Sequence, residues 1–292
     1  LSPFLWKDKF KRGNAMRQKK RAAARLLSAV MAVSAVSPAL PAWAAAWQKN
    51  ASGSYIVSDG SVLTGILSRG VDVSQWQQNI NWSAVAADDI QFAMIGTRYN
   101  NAVEPYFDTN VRGAAAAGLR VGVYLYSYAT TTAMAESDAD FVLNLIKDYP
   151  ISYPVVLDVE AQEMNSLTPA QVSDIINAFC KKVETAGYYP MVYTNDYWIS
   201  NKIDMTKVHY DVWIARYDAK PSYKGAAFWQ ASNQGTVNGI SGNVDINFSF
   251  KDLSGKLPAN SWRLIGDKWY YYKTYVKQTG WINDGQRWYY LN

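Results

Sequence analysis

Tyr153-Pro-Val-Val-Leu-Asp158-Val-Glu160 sets a short aliphatic run beside two acids spaced two apart. A run of this length bounded by turn residues reads as a buried strand. Alternate side chains of a strand share a face, so Asp158 and Glu160 point one way and Leu157 and Val159 the other. Working outward, seven more segments have the same texture: 70–74, 92–97, 120–128, 190–194, 211–217, 226–230 and 243–247. Between them, 108–118, 132–147 and 168–187 carry helical patterns. Thr168-Pro169 opens the last of these, with a hydroxyl that can accept from an orphan N–H and a Pro suited to the first turn. Gly118 and Gly187 are suited to helix stops. Eight strands, with helices mostly in the first half, predict an α/β chain: a β/α (TIM-like) barrel over 70–254 with an irregular second half.

In such a barrel the Asp158–Glu160 pair falls at the C-terminal end of its strand, where active sites of the fold are built. Two carboxyls held close cannot both ionise freely, which leaves a proton donor beside a carboxylate. Glycosidic cleavage needs that division of labour. The same spacing could equally bind a metal or satisfy loop backbone. Other strand ends add candidates. Asp72 sits in the first strand and Asp245 in the last, and these two are neighbours once a barrel closes. Tyr124, Tyr126 and Tyr128 alternate on one face of the third strand, and Tyr193, Trp213, Tyr217 and Trp229 lie at or near later strand ends. Aromatic rings stack on the apolar faces of sugars, while neighbouring carboxylates and amides such as Gln230 bond hydroxyls. Each ring has a plain alternative as barrel filling.

Charge and composition narrow the field. Residues 1–44 hold nine Lys or Arg and one Asp, which leaves 20 basic and 23 acidic residues in the remainder. The net charge of +5 therefore belongs to the leader and gives no reason to expect a nucleic-acid partner. Met16 precedes Arg17, Lys19, Lys20, Arg21 and Arg25; Leu26 to Val36 is apolar; Ala42-Trp43-Ala44 fits a small-x-small cleavage site. This reads as a signal peptide, and the apolar stretch is too short for an ordinary membrane span. Secretion follows, with no stable membrane span after cleavage. Residues 1–15, upstream of Met16, read as a misplaced start or a cloning remnant. Residues 45–69 read as a linker or an N-terminal extension. Cys180 is the only cysteine, so no intrachain disulfide forms, and its helical surroundings mark it as a buried small apolar residue. His209 is the only histidine, which excludes a histidine-rich zinc site. No metal or other cofactor is called for.

The last 38 residues, 255–292, are different in kind. Trp262-Arg-Leu-Ile-Gly266-Asp-Lys-Trp269-Tyr270-Tyr271 recurs 19 residues later as Trp281-Ile-Asn-Asp-Gly285-Gln-Arg-Trp288-Tyr289-Tyr290. An aromatic repeat of this period is one hairpin per unit, and a single hairpin is marginal in water. A two-unit tail is expected to lean on the barrel, or to be the start of a longer array.

Taken together, the pieces from residue 70 to about 254 resemble glycoside hydrolase family 25, the muramidases. They are Gly70-Val-Asp72-Val-Ser74-Gln75-Trp76, Phe92-Ala-Met-Ile95, Asp108-Thr-Asn110 with Ala117-Gly118-Leu119, Gly122-Val-Tyr124, Asp158-Val-Glu160, Trp213-Ile-Ala215-Arg-Tyr217, Trp229-Gln230 and Val244-Asp245-Ile-Asn247, in the family's order. The resemblance implies a flattened β/α barrel. It also implies hydrolysis of the β-1,4 bond from N-acetylmuramic acid to N-acetylglucosamine in peptidoglycan. It makes Glu160 the general acid, Asp158 its stabilising or orienting partner, and Asp72 and Asp245 the other carboxylates of the site. Tyr124, Tyr126, Tyr193, Trp213, Tyr217, Trp229 and Gln230 become candidate substrate contacts. One departure stands out: the family often has Arg after the Phe92–Ile95 run, where this chain has Gly96. The tail resembles choline-binding cell-wall repeats, which makes Trp262, Trp269, Trp281 and Trp288 candidates for holding choline or another wall polymer. The expected location is secreted, at the cell wall. Two rivals remain at this point, a chitinase-like glycosidase and a non-catalytic wall-binding protein.

Overall fold

The structure is a computed structural model that describes residues 47–57, 60–217, 219–253, 256, 260–265 and 267–292. The leader read in 1–44 lies outside the described residues. Among the described residues no helix is long and apolar enough to cross a membrane.

The described chain opens on a hairpin, β1 (Trp47–Lys49) antiparallel to β2 (Tyr55–Val57). It is not a bare linker. Trp47 and Tyr55 each meet Phe248 edge-on at 4.9 Å, and Lys49 Nζ reaches Asp89 at 2.6 Å.

The barrel follows. Its strands are β3 (Ser68–Val73), β4 (Phe92–Gly96), β7 (Arg120–Tyr126), β8 (Val155–Asp158), β9 (Pro190–Asn195), β10 (Asp211–Ala215), β11 (Ala226–Gly235) and β12 (Val244–Ser249). A small hairpin, β5 (Arg98–Tyr99) and β6 (Ala102–Val103), rises from the end of β4. The barrel closes in the order β10-β11-β12-β3-β4-β7-β8-β9. Every pairing is parallel except those of β12, which runs antiparallel to both β11 and β3. That reversal brings the start of β12, rather than its end, to the mouth of the barrel.

Helices α1 (Trp82–Ala86), α2 (Phe107–Ala116), α3 (Thr132–Ile146), α4 (Pro169–Thr185) and α5 (Asp196–Asn201) fill the early crossovers. Among the described residues none lies between β10 and β11 or between β11 and β12, so the second half is irregular. The start of α4 is a capping box: Thr168 Oγ1 accepts from Gln171 N, and Gln171 Oε1 accepts from Thr168 N at 2.9 Å. Cys180 faces inward from α4 and is buried.

Strand parity sorts the core into two parts. Outward-facing Val71, Ile95, Val123, Val155, Leu157 and Val192 pack under the helices. Inward-facing Phe92, Met94, Val156, Met191, Trp213 and Phe228 fill the barrel. The floor is a stack of Phe92, Tyr153 and Phe228 with ring centroids 5.1–5.5 Å apart. Phe92 occupies the space a side chain would need at position 70, since a Cβ on Gly70 would fall 2.4 Å from its ring. A glycine in β3 therefore lets a large ring plug the barrel. With the lower barrel filled, the polar residues can converge only at the upper end.

The tail pairs β13 (Asn260–Ile265) with β14 (Lys268–Lys273), adds β15 (Val276–Lys277), then pairs β16 (Gly280–Asn283) with β17 (Trp288–Leu291). Tyr272 is buried, and its hydroxyl donates to Gly187 O at 2.5 Å. Tyr270 OH donates to Thr185 O at 2.8 Å, and Lys277 Nζ to Ala186 O at 3.3 Å. Those carbonyls end α4 and have no partner within the helix, so the first hairpin completes the helix terminus.

Candidate active site

Asp72 is the inward residue before the end of β3, and Asp245 is the second residue of the reversed β12. The two are paired in register across the seam. Asp72 is buried. Its Oδ2 accepts from Asn247 Nδ2 at 2.7 Å and from Gln230 Nε2 at 2.8 Å. Gln230 Nε2 also donates to Asp245 Oδ2 at 3.1 Å. Trp213 Nε1 donates to Asn247 Oδ1 at 2.9 Å, which fixes which way that amide faces. Tyr193 OH and Tyr217 OH both donate to Gln230 Oε1, at 2.8 and 2.7 Å. Gln230 is thus engaged at both ends of its amide, a geometry that admits only one orientation.

The Asp72 and Asp245 carboxyls also hydrogen-bond each other. Burial raises both above the ordinary carboxylate range. At Asp245 the neighbouring charge of Asp72 pushes further the same way, whereas at Asp72 the bonds from Asn247 and Gln230 push back. Asp245 therefore carries the proton and Asp72 receives it. This carboxyl-to-carboxyl hydrogen bond lies at the β3–β12 seam.

Asp158 ends β8 and is buried, and Glu160 follows two residues later, half-buried at the mouth. Tyr126 of β7 is in register with Asp158. Burial, then the charges of Asp158 and Glu160, holds the Tyr126 hydroxyl far above its usual range. Tyr124 is raised by burial, then by Asp72, Asp245 and Asp158; Tyr193 by burial, then by Tyr217, Glu160 and Asp158. These phenols stay protonated and offer neutral donors among acids. Gly96 makes room for one of them: a Cβ there would meet Tyr124 Oη at 3.2 Å.

All four acids thus belong to the same end of the barrel, with Tyr124, Tyr126, Tyr193 and Tyr217 around them. Tyr128 lies beyond the end of β7, 42 % exposed, with its ring 5.0 Å from that of Tyr126. Three candidate contacts need correction. Trp229 points out of the barrel, is fully buried against Phe248, and donates from Nε1 to Arg216 O, so no ligand in the barrel mouth can touch it. Trp213 faces inward, but it is buried beneath Tyr193 at 4.7 Å and acts on Asn247. Gln230 is likewise buried and spends its amide on Asp72, Asp245 and two tyrosines.

The structure adds residues that the sequence did not single out. Arg98 NH1 donates to Asp138 Oδ1 at 2.7 Å and its NH2 to Tyr126 O at 3.0 Å. Asp138 Oδ2 accepts from Ser127 Oγ at 2.7 Å, and Ser127 N donates to Asp158 O at 3.1 Å. A buried ion pair between β5 and α3 therefore clamps the strand ends that carry Tyr126 and Asp158. Glu104 is almost fully buried beside the loop after β3. Its Oε2 accepts from Tyr106 N at 3.1 Å, its carboxyl also takes a bond from the Gln75 backbone, and its Oε1 has no hydrogen-bond partner. Burial pushes its pKa up to about 7, with the two backbone bonds pulling the other way. Among the described residues no three His, Cys, Asp or Glu side chains form a group suited to a metal ion.

Comparison with known proteins gives these features a setting. Residues 71–240 match the model of glycosyl hydrolases family 25. The chain is 33% identical over 188 residues to the uncharacterized protein YegX of Escherichia coli, covering 61% of this chain and 68% of that one. It is 27% identical over 206 residues to the N,O-diacetylmuramidase of Chalaropsis sp, covering 61% of this chain and 95% of that one. A bacterial lysozyme from Streptomyces coelicolor superposes with a TM-score of 0.54 at 26% identity, covering 64% of this chain and 94% of that chain.

Proposed function

The chain belongs to glycosyl hydrolases family 25, and from that premise we propose that it is a muramidase of the bacterial cell wall. It hydrolyses the β-1,4 bond between N-acetylmuramic acid and N-acetylglucosamine. The observation that carries this reading is the convergence of Asp158 and Glu160 with Asp72 and Asp245 at the one open end of a barrel whose floor is plugged.

Glu160 is the proton donor in this account. It gives its proton to the glycosidic oxygen as the bond to the anomeric carbon breaks, and the aglycone leaves with a new hydroxyl. Asp158 supplies negative charge beside the developing oxocarbenium centre. It meets that charge directly or through the substrate's own 2-acetamido oxygen. Water then adds at the anomeric carbon, and its proton returns to Glu160. The Tyr126 hydroxyl, kept protonated by burial and by both acids, is placed to donate to a ring substituent near the bond. Asp72 and Asp245 act as a singly charged pair, which limits repulsion around Asp158. The tail holds the enzyme on the wall through exposed Trp269, Trp281 and Trp288, so the enzyme acts outside the membrane.

Glu160→Gln tests the assignment. It is expected to abolish release of reducing ends from purified peptidoglycan while leaving circular dichroism and melting temperature unchanged. A parallel digest of chitin should yield nothing with either form. Wild-type activity in the variant, or chitin cleaved in preference to peptidoglycan, would remove the reading.

A further inference from the structure

The two tail hairpins pack on each other through one face of each. The outer face of the first hairpin carries Trp262 paired with Tyr271 and Leu264 paired with Trp269. Tyr289 of the second hairpin packs on the Trp262–Tyr271 end of that face, its ring 4.7 Å from Trp262, and Trp262 Nε1 donates to Asp284 Oδ2 at 3.0 Å, while Leu264 and Trp269 stay exposed. Trp262 is therefore spent on hairpin-to-hairpin packing. The equivalent face of the second hairpin is open: Trp281, Trp288 and Tyr290 are 69%, 66% and 63% exposed. Trp281 and Tyr290 meet edge-on at 5.4 Å, so the face is held in shape by its own rings.

The charge around this face decides what it suits. Residues 255–292 carry six Lys or Arg and two Asp, whereas residues 70–254 carry twelve Lys or Arg and twenty Asp or Glu. One of the tail's two acids, Asp284, is occupied by Trp262 Nε1 and by the backbone N–H groups of Gln286 and Arg287. Lys273 is exposed and shares the outer face of its hairpin with Trp269 and Tyr271, and exposed Arg287 adjoins Trp288. A cationic ligand would meet a tail of its own sign, with the nearest acid already used.

We propose that the exposed face of the second hairpin, Trp281, Trp288 and Tyr290, on a tail whose basic residues outnumber its acids six to two, binds a polyanionic wall polymer of the phosphodiester-linked polyol or glycan type. This assignment rests on the reading of the enzyme as one that works on the wall. The rings cover the apolar faces of the polyol or sugar units, and the basic side chains meet the phosphates between them. The strongly acidic barrel repels the same polymer. The chain is therefore tethered by the tail alone, and the barrel mouth stays free for the uncharged glycan backbone.

The test uses the full chain and poly(glycerol phosphate) immobilised on a sensor surface, with dextran as the neutral control. The expected result is binding to poly(glycerol phosphate) that weakens steeply with salt, and none to dextran. Trp281→Ala/Trp288→Ala and Lys273→Glu/Arg287→Glu should each weaken it about tenfold or more, and the salt dependence should flatten only in the second pair. Lys273→Glu/Arg287→Glu should cleave soluble peptidoglycan fragments at the wild-type rate, because neither residue lies in the barrel. Equal binding to dextran, displacement by free choline but not by free glycerol phosphate, or unchanged affinity in the charge-reversed pair would each overturn the proposal. If the wild-type chain bound the polymer but cleaved no fragment, the muramidase reading would fail while this one stood.

Discussion

The ionisation of Glu104 bears directly on stability near neutral pH. Its carboxyl is moved from an ordinary 4.5 to about 7, chiefly by burial. A folded-state pKa above the unfolded one means that the folded chain holds its proton more tightly. The associated stability is present in full below pH 4.5 and is lost as the pH rises through about 7. At about 1.4 kcal/mol per pKa unit the full shift is worth roughly 3.4 kcal/mol, and the polar response of a protein interior brings the expected figure to about 1.5–2 kcal/mol. Glu104→Gln removes the ionisation and keeps an oxygen for Tyr106 N and the Gln75 backbone. Its new amide N–H has no acceptor at the Oε1 position, a cost that does not vary with pH. Melting temperature measured at pH 5 and pH 8 separates the two effects. For a domain of this size the wild type should lose about 3–8 °C more than the variant between those pH values. Asp245 contributes with the same sign, because its pKa is also raised, but it does so equally in both proteins. Parallel pH profiles for wild type and variant would refute the reasoning.

Two other perturbations follow from the hydrogen-bond network. Gln230→Ala strips a donor from Asp72 and Asp245 and an acceptor from Tyr193 and Tyr217. It should cost about 1–3 kcal/mol in a denaturant titration and lower kcat with little change in KM, since Gln230 is buried and its amide is engaged by the acids and tyrosines of the site. Arg98→Met leaves Asp138 buried without its cation and should cost about 3–5 kcal/mol, with Arg98→Met/Asp138→Leu regaining much of the loss. Equal instability of the single and double variants would show that the clamp acts through something other than charge.

The barrel was legible in the sequence because short apolar runs bounded by turn residues recur, and alternation then places the acids within them: Asp158 against Leu157, and Asp72 against Val71 and Val73, are read from spacing alone. The direction of β12 was not legible, since alternation looks the same whichever way a strand runs. Yet it is this reversal that brings Asp245 level with Asp72. The hairpin at 98–103 did leave a signal, Asn100-Asn101, whose positive φ values of 48° and 63° suit a tight turn between strands. Helices α1 and α5 are too short to show a period. Their starts are marked only by Asn81 and Asn195, whose side chains accept from backbone N–H groups. The aromatic candidates show the limit most clearly. Trp229 and Gln230 are adjacent on one strand and cannot share a face, so parity could have removed Trp229 at once. No local pattern could reveal Arg98 with Asp138, forty residues apart and joined only by the fold.

The most direct measurement of the central claim is the identity of the sugar at the new reducing end. Purified peptidoglycan digested by the wild-type chain, reduced with borohydride and analysed by mass spectrometry, should carry reduced N-acetylmuramic acid at every newly formed terminus. Reduced N-acetylglucosamine at those termini, or intact glycan strands with only peptide bonds cut, would contradict it.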